Sequence, residues 1–573
     1  MRYQNLAEAY EQLESVSSRL EKTKRLADFL KNVTDLPRVL LLLQGRVFMP
    51  GDEREIGVAS QLAVKAIVVA SGKTTSQVET LWKKTGDLGK AAAEVVQKKS
   101  QSTLVSSHLT VQKVFDNLQK LASMEGQGTV DRKVKLIAEL LSQASPLEAR
   151  YVIRTVLSDL RAGVGDSTIR DALVWAYVMD PKYDGKKIDV DREKYTQVVE
   201  VVQSAYDVSN DFGTVAQLLK KEGIKGLDKT KMTVGKPLKV MLYQKAQDIK
   251  DAFKTVGRPA AIEYKYDGFR MQIHKKKDVK IFTRRMENVT KQFPDVVKLV
   301  QDHVRAKECI LDAEAVGLKK GQYIAFQHMS QRIKRKYDIA KMAKELPVCV
   351  CVFDMLELDG QALVQTPFQE RRKLIEKTIK PTKFIKPAEQ LVTDDEKQAT
   401  AFYEKSLQAG NEGVMMKNLE SGYKPGSRVG FGVKVKPVME TLECVIVGAE
   451  WGEGKRSKWL ASFTLAIRDG DGYLEIGKMG TGIKEKPEEG LSFGEMTELL
   501  KPLVLEEKGK SVKTKPKIVV EINYEEIQKS PTYASGYALR FPRFVRLRED
   551  RGPHDIADRK EVEKLYKGQR GRA

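Results

Sequence analysis

Glu263-Tyr-Lys265-Tyr-Asp267-Gly268-Phe-Arg270 is flanked on both sides by short apolar segments, residues 261–264 and 271–274. The segments have the length and composition of β-strands, and Asp-Gly is a turn pair, so the stretch reads as strand, turn, strand. Lys265 stands at the end of the first strand. It is either a surface lysine before a turn or a nucleophile, with Gly268 letting a nucleotide approach the backbone closely. A lysine attacks only as the neutral amine, and its reference pKa is about 10.4. A site that uses one must lower that value with neighbouring cations or by desolvation.

Outward from this stretch, residues 279–283, 309–316 and 348–353 are further β-type segments, and 294–304 and 368–378 carry helical periodicity. The central region is therefore expected to be an α/β (α+β) domain. Residues before it read almost entirely as helices, for example 6–30, 134–141 and 167–178, with polar interruptions at 71–89 and 124–131. A lysine- and glycine-bearing stretch at 228–239 reads as a linker. From about Thr441 onward short strands return (444–449, 462–468, 473–477, 518–524), joined by glycine-rich turns, which suits a small β-barrel. A chain of 573 residues is too long for one core. The expectation is a multidomain protein: all-α at 1–228, α/β at 238–437 and β-barrel at 438–573.

Hydrophobic content of 41% and charged content of 31% are ordinary for a folded globular chain. No run of about 18 uncharged apolar residues is present, so no membrane span is expected and the reading is intracellular. The cysteines (Cys309, Cys349, Cys351, Cys444) lack metal-type spacing and read as reduced core thiols. Five scattered histidines offer no catalytic or metal cluster. The formal net charge of +22 points to a polyanionic partner, most commonly nucleic acid.

Further chemistry-bearing segments follow Lys265 in order. Phe282-Thr-Arg284-Arg285 ends a strand with two cations, and Ile310-Leu-Asp312-Ala-Glu314-Ala-Val316 places a carboxylate inside one. Glu412-Gly413-Val-Met-Met-Lys417 puts a carboxylate just before an apolar strand. Lys434-Val-Lys436 presents two lysines to one side of a strand. Singly, each is ordinary strand-end polarity. As an ordered set they resemble the nucleotidyltransferase domain of ATP-dependent DNA ligases, an order also similar to mRNA capping enzymes and RNA ligases. The run Leu539-Arg540-Phe-Pro-Arg543-Phe-Val-Arg546-Leu-Arg548-Glu-Asp550-Arg551 is similar to the last motif of cellular DNA ligases and favours that branch. Gly448-Ala-Glu-Trp-Gly-Glu-Gly-Lys455-Arg456 resembles a loop of the family's OB-fold domain and only narrowly misses a phosphate-binding P-loop. Arg161-Ala-Gly163-Val-Gly165-Asp-Ser-Thr168, Glu148-Ala-Arg150-Tyr151 and the segment from Gly45 to Pro50 resemble the helical DNA-binding domain of archaeal and eukaryotic replicative ligases. The absence of a long extension before it favours the archaeal form.

The resemblance implies an all-α DNA-binding domain, an adenylyltransferase domain and an OB-fold barrel. It implies sealing of 3′-OH/5′-phosphate nicks with ATP and Mg2+, Mn2+ being an alternative, in replication, repair and recombination. Lys265 would carry AMP. Glu263 would read the adenine amino group and Phe353 would stack on the base. Arg270 and Arg284 would hold the ribose region or the nick phosphate, Arg285 and Arg428 would also bind the nucleotide, and Lys434 and Lys436 would clamp the transferring phosphate. Glu314 and Glu412 would bind the metal. Arg543, Asp550 and Arg551 would close over the nucleotide. Gln101, Leu104 and Val105 occupy the place of a sliding-clamp motif, with aliphatics where the family carries aromatics. A monomer acting on nicked duplex DNA, associated with the nucleoid of an archaeal-type cell, completes the expectation. Two departures stand out: Gly432 replaces the family's usual Trp before Lys434, and Arg551 replaces its usual Lys after the Asp.

Overall fold

The computed structural model describes residues 1–97, 108–319, 322–324, 332–333, 337–437 and 441–569. The chain divides into two compact units, residues 1–436 and 437–573. Among the described residues no helix is long and apolar enough to cross a membrane.

The first unit begins with helices, from Tyr3–Glu14 through Phe212–Glu222, that share one core. Leu6, Tyr10, Leu30, Leu40, Ile67, Leu118, Ile137, Trp175 and Leu219 are all buried in it. Each buried large apolar side chain contributes on the order of 1.5–3 kcal/mol. Local chemistry sets the helix starts. Ser145 accepts from the Glu148 amide while Glu148 returns a bond to the Ser145 amide at 2.8 Å, and Pro146 fits the first turn. The structure corrects two expectations here. Residues 6–30 form two helices, because Ser18 caps a second one, Arg19–Lys31. The stretch 71–89, read as an interruption, contains the helix Thr75–Thr85, started by a Thr74/Gln77 capping box and ended at Gly86 with φ 63°. Its solvated lysines masked the period. A buried ion cluster also joins these helices. Arg154 bonds Asp87 Oδ2 at 2.5 Å and Glu14 Oε2 at 2.7 Å, so three separate segments are fixed by one guanidinium.

The rest of this unit is two sheets with helices packed on them, among them Ile249–Val256, Pro294–His303, Phe368–Thr378 and Glu396–Gln408. We label β1 Leu242–Lys245, β2 Ala260–Lys265, β3 Phe269–Lys275, β4 Val279–Thr283, β5 Cys309–Lys319, β6 Val348–Leu358, β7 Gln390–Thr393, β8 Gly413–Asn418 and β9 Arg428–Val435. One sheet has the order β7-β2-β8-β9-β1. The other contains β6-β5-β3-β4, with short strands at Gln361–Ala362 and Ile385–Pro387 beside β6 and Gln322–Ile324 beside β5. β2 and β6 are buried on both faces, as the apolar run around Cys349 and Cys351 in β6 leads one to expect. The stretch 228–239 is irregular as expected but clipped in place. The Gly235 amide donates to His274 Nδ1 at 2.9 Å, the Leu238 amide to Gln272 Oε1 at 2.8 Å, and Asn210 Nδ2 to the Pro237 carbonyl at 2.9 Å.

The second unit is a β domain. Its main sheet runs Gly472–Met479, Leu460–Asp469, Leu442–Trp451, Ser511–Thr514, Val504–Lys508. Val519–Asn523 also pairs with Leu442–Trp451 and carries Arg543–Leu547 on its other edge. The long strand Leu442–Trp451 thus splits between two partners and curves the sheet. Among the described residues the ladder follows a half-barrel and does not close into a ring. The helices Phe493–Leu500 and Arg559–Gly568, unforeseen in the sequence, pack on its apolar face through Phe493, Met496 and Val562.

Candidate active site

The 263–270 stretch crosses from one sheet to the other: Lys265 ends β2 in the five-stranded sheet, and Arg270 lies in β3 of its neighbour. The crossing is tight. A Cβ on Gly268 would fall 2.7 Å from the Ala315 carbonyl and 2.8 Å from Glu314 Cγ. The close neighbour that demands glycine here is therefore β5 of the protein itself. Gly413 has φ 139°, and its Cβ would meet the Val435 carbonyl at 2.1 Å. That position tolerates no side chain, and it seats Glu412 beside Lys265, with the Glu412 amide donating to the Lys265 carbonyl at 2.8 Å. Lys265 Nζ and Lys436 Nζ both bind Glu412 Oε2, the second at 2.7 Å. Nucleophile candidate, carboxylate and second cation thus converge from three strand ends.

One face of the five-stranded sheet extends this cluster. Register places Glu263 opposite Met415, Met415 opposite Lys434, and Lys417 opposite Gly432. Glu263 is 1% exposed. It is paired to Lys417 Nζ at 2.6 Å and accepts from Gln390 Nε2 at 2.8 Å. A carboxylate has about four acceptor sites, so room remains for another donor. Phe353, on β6, faces this group. Its ring centre lies 5.1 Å from Lys417 Nζ and 5.3 Å from the Arg270 guanidinium. Arg270 in turn makes a two-pronged pair with buried Asp312, at 2.9 and 2.6 Å, and donates to the Met241 carbonyl at 2.9 Å. The Tyr423 hydroxyl donates to the same Asp312 at 2.9 Å. No motif assigns a role to Asp312, to Tyr423 or to the Asp354–Arg371 pair, which is buried and bonded at 2.7 Å. A carboxylate inside an apolar strand was the available signal, since such a charge must be paired. Gly432 is explained as well: the Tyr243 ring occupies the space a side chain there would fill.

The carboxyl groups of Glu314 and Glu412 differ in state. Burial pushes the Glu314 carboxyl up to about 8, against the opposing pull of Lys265 and Arg270. Burial would also raise Glu412, but the Lys265 and Lys436 ammoniums outweigh it and hold it at about 2. Among the described residues no cluster of three or more metal-ligating side chains occurs. The Glu314/Glu412 pair nevertheless fits Mg2+. That ion keeps several waters and takes one or two carboxylates plus phosphate oxygens. A nearby dication would favour the ionised form of a desolvated carboxyl such as Glu314.

The other expected residues belong to other elements or lie outside the described residues. Arg284 and Arg285 are exposed in the turn after β4, and Arg428 is exposed at the start of β9. Arg543, Asp550 and Arg551 belong to the second unit. There Arg548 grips Asp550 through two bonds of 2.9 and 2.8 Å, which holds that exposed carboxyl down at about 2. Arg551 donates to the Asp555 carbonyl at 3.2 Å. Gln101, Leu104 and Val105 lie outside the described residues.

Comparison with known proteins matches three family models: DNA ligase N terminus at residues 2–174, ATP dependent DNA ligase domain at 240–436, and ATP dependent DNA ligase C terminal region at 456–551. A DNA ligase of Nanoarchaeum equitans is 47% identical over 580 residues, covering 100% of this chain and 99% of that protein. A DNA ligase of Thermococcus fumicolans is 42% identical over 573 residues, covering 99% and 98%. The solved structure titled Pmar-Lig_PreS3 has a similar fold, with TM-score 0.57 at 17% identity over 95% of this chain and 99% of that one.

Proposed function

The chain belongs to the ATP-dependent DNA ligases of the archaeal type, and from that premise we propose which of its side chains carry each step. The enzyme seals nicks in DNA through a covalent adenylate, using ATP and a divalent metal such as Mg2+. Lys265 is the nucleophile. Its Nζ, once it has given up a proton to solvent, attacks the α-phosphorus of ATP; a P–N bond forms, the nitrogen sheds a second proton, and pyrophosphate leaves with the electron pair of the broken P–O bond. AMP then passes to the 5′-phosphate of the nick, and the 3′-hydroxyl displaces it. Glu263 reads the adenine amino group against the Phe353 ring. Lys434 and Lys436 act as point charges on the transferring phosphate. Arg270, held by Asp312, and Arg284 contact ribose or nick phosphate, and Arg285 and Arg428 bind the nucleotide. Glu314 and Glu412 hold the metal, which when bound neutralises charge on phosphate oxygens. Arg543, Asp550 and Arg551 complete the nucleotide site in the first step.

In this reading the domains are a helical DNA-binding domain at 1–228, an adenylyltransferase at 238–437 and an OB-fold at 438–573. The curved half-barrel sheet of the second unit supports the last assignment. The enzyme works as a monomer at the nucleoid and engages a sliding clamp through Gln101, Leu104 and Val105. Replacing Leu104 and Val105 by Ala should lower clamp-stimulated ligation and spare clamp-free ligation. A parallel fall of both would remove the clamp assignment.

The observation that carries the assignment of the nucleophile is the convergence of Lys265 and Lys436 on one oxygen of Glu412, beside the Glu263–Phe353 group. Mass spectrometry of the protein incubated with ATP and Mg2+ tests it. An AMP adduct mapped to Lys265, absent from Lys265→Ala, is the expected result, and an adduct on another residue would overturn it.

A further inference from the structure

Tyr243 stands on β1, the edge of the five-stranded sheet, yet its ring crosses to the neighbouring strand. A Cβ built on Gly432 would fall 2.2 Å from the ring's Cε1 and 2.4 Å from Cδ1. The backbone makes room for this. Tyr243 pairs with Val429 and the next residue, Gln244, with Val433, so residues 430–432 bulge out of the ladder. Gly432 lies directly across from Lys417 on β8, the lysine that binds Glu263 and sits under Phe353. The ring therefore lies on the sheet face that carries Glu263, Lys265 and Lys417. It is half-buried, and its hydroxyl is within electrostatic reach of Asp354, Arg270 and Glu263. On one side it packs against the apolar cluster that contains Met241, Tyr423 and Val429.

We propose that Tyr243 is a positioning residue for ATP, its ring forming the apolar wall of the nucleoside end of the pocket, and that position 432 is glycine so that this ring can take that place. The proposal rests on the reading of Glu263 and Phe353 as the base-binding side. A rigid ring fixes where a flat nucleoside sits between polar groups, and it does so without itself reacting. Position 432 projects into the same volume from the other strand. One aromatic side chain, from either position, therefore satisfies the site, while two exceed the space.

The test measures formation of the Lys265 adduct against ATP concentration in the full-length enzyme. Tyr243→Ala should raise the KM for ATP about tenfold with kcat within about twofold, the pattern of lost ground-state positioning. Tyr243→Phe, which keeps the ring, should match the parent. Gly432→Phe alone should be strongly impaired. The double variant Tyr243→Ala/Gly432→Phe should recover KM to within about threefold of the parent, a non-additive outcome that separate structural roles do not produce. An unchanged KM in Tyr243→Ala, or a double variant no better than Gly432→Phe, overturns the proposal. Should Tyr243→Ala fail to fold, recovery by the double variant decides in the same way. A parent enzyme that forms no adduct on Lys265 would instead overturn the nucleophile assignment, a result distinct from an unchanged KM.

Discussion

On the proposed assignment, the Lys265 amine is needed to form the lysyl adenylate but not to seal a nick that already carries the adenylate. Lys265→Ala should lose self-adenylation and ATP-dependent sealing, yet retain sealing of a nick already carrying 5′-adenylate. Glu412→Ala should impair both, because phosphate charge develops in each transition state. Gel assays on ordinary and pre-adenylated nicks measure this, and robust ATP-dependent sealing by Lys265→Ala would refute the nucleophile. Asp312 acts through its partner rather than on the substrate. It is buried and holds the Arg270 guanidinium at two points while accepting the Tyr423 hydroxyl. Asp312→Ala leaves that cation unpaired and should destabilise the protein by about 3–5 kcal/mol. Urea unfolding measures it, and a loss below about 1 kcal/mol would show that Arg270 finds other partners.

Between the helices and the sheets, the irregular stretch 228–239 owes its fixed course to side chains of β3. His274 is 1% exposed, accepts the Gly235 amide at Nδ1, and pairs at Nε2 with Gln272 Oε1 at 2.9 Å. That arrangement requires the neutral ring protonated on Nε2. Burial, with Lys280 across the strand pair, lowers its pKa to about 3. Between about 6.5 and 3 the unfolded chain binds a proton that the folded one refuses, so stability rises with pH in that window. The contribution is fully present above about 6.5 and shrinks by up to about 1.4 kcal/mol per unit as pH falls below it. His274→Gln keeps an acceptor and does not titrate. Its urea midpoint should therefore decline less than the parent's between pH 7.5 and 4.5, and parallel curves would contradict the buried neutral imidazole.

Over the whole chain, 100 Lys and Arg face 78 Asp and Glu, a difference of +22. Internal pairs such as Arg154–Asp87, Arg371–Asp354 and Arg270–Asp312 cancel one cation for each anion and leave that excess unchanged. Binding of the full-length enzyme to nicked duplex DNA should accordingly be dominated by phosphate contacts and counterion release. Each neutralised phosphate contributes about 0.9 to the slope of log K against log salt, so six to ten contacts weaken binding by about 10³–10⁵ between 50 and 200 mM salt. Fluorescence anisotropy over a salt series measures the slope. A flat response, or a strong preference for particular base sequences, would rule out backbone-dominated binding.

By itself the sequence determined the broad elements, because residue type and period are local properties. The alternation and apolar runs of β2, β5 and β6 were visible, as were the helical first part and the strand-rich end. Lys265, Glu314, Glu412 and Lys436 could be named because each stands in a short contiguous motif. Partnership was decided only by the tertiary structure. Glu412 lies 147 residues from the lysine it pairs with, and no local pattern says that two ammoniums share one of its oxygens. Asp312 looked like ordinary strand polarity until burial made a pairing with Arg270 obligatory. The glycine at 268 could be read as an opening for a nucleotide, whereas the sheet crossing presses β5 against it. Gly432 looked like a lost aromatic, and strand register put the Tyr243 ring in its place. Register, sheet crossing and burial join residues that are distant in the chain, and a one-dimensional pattern carries no record of those distances.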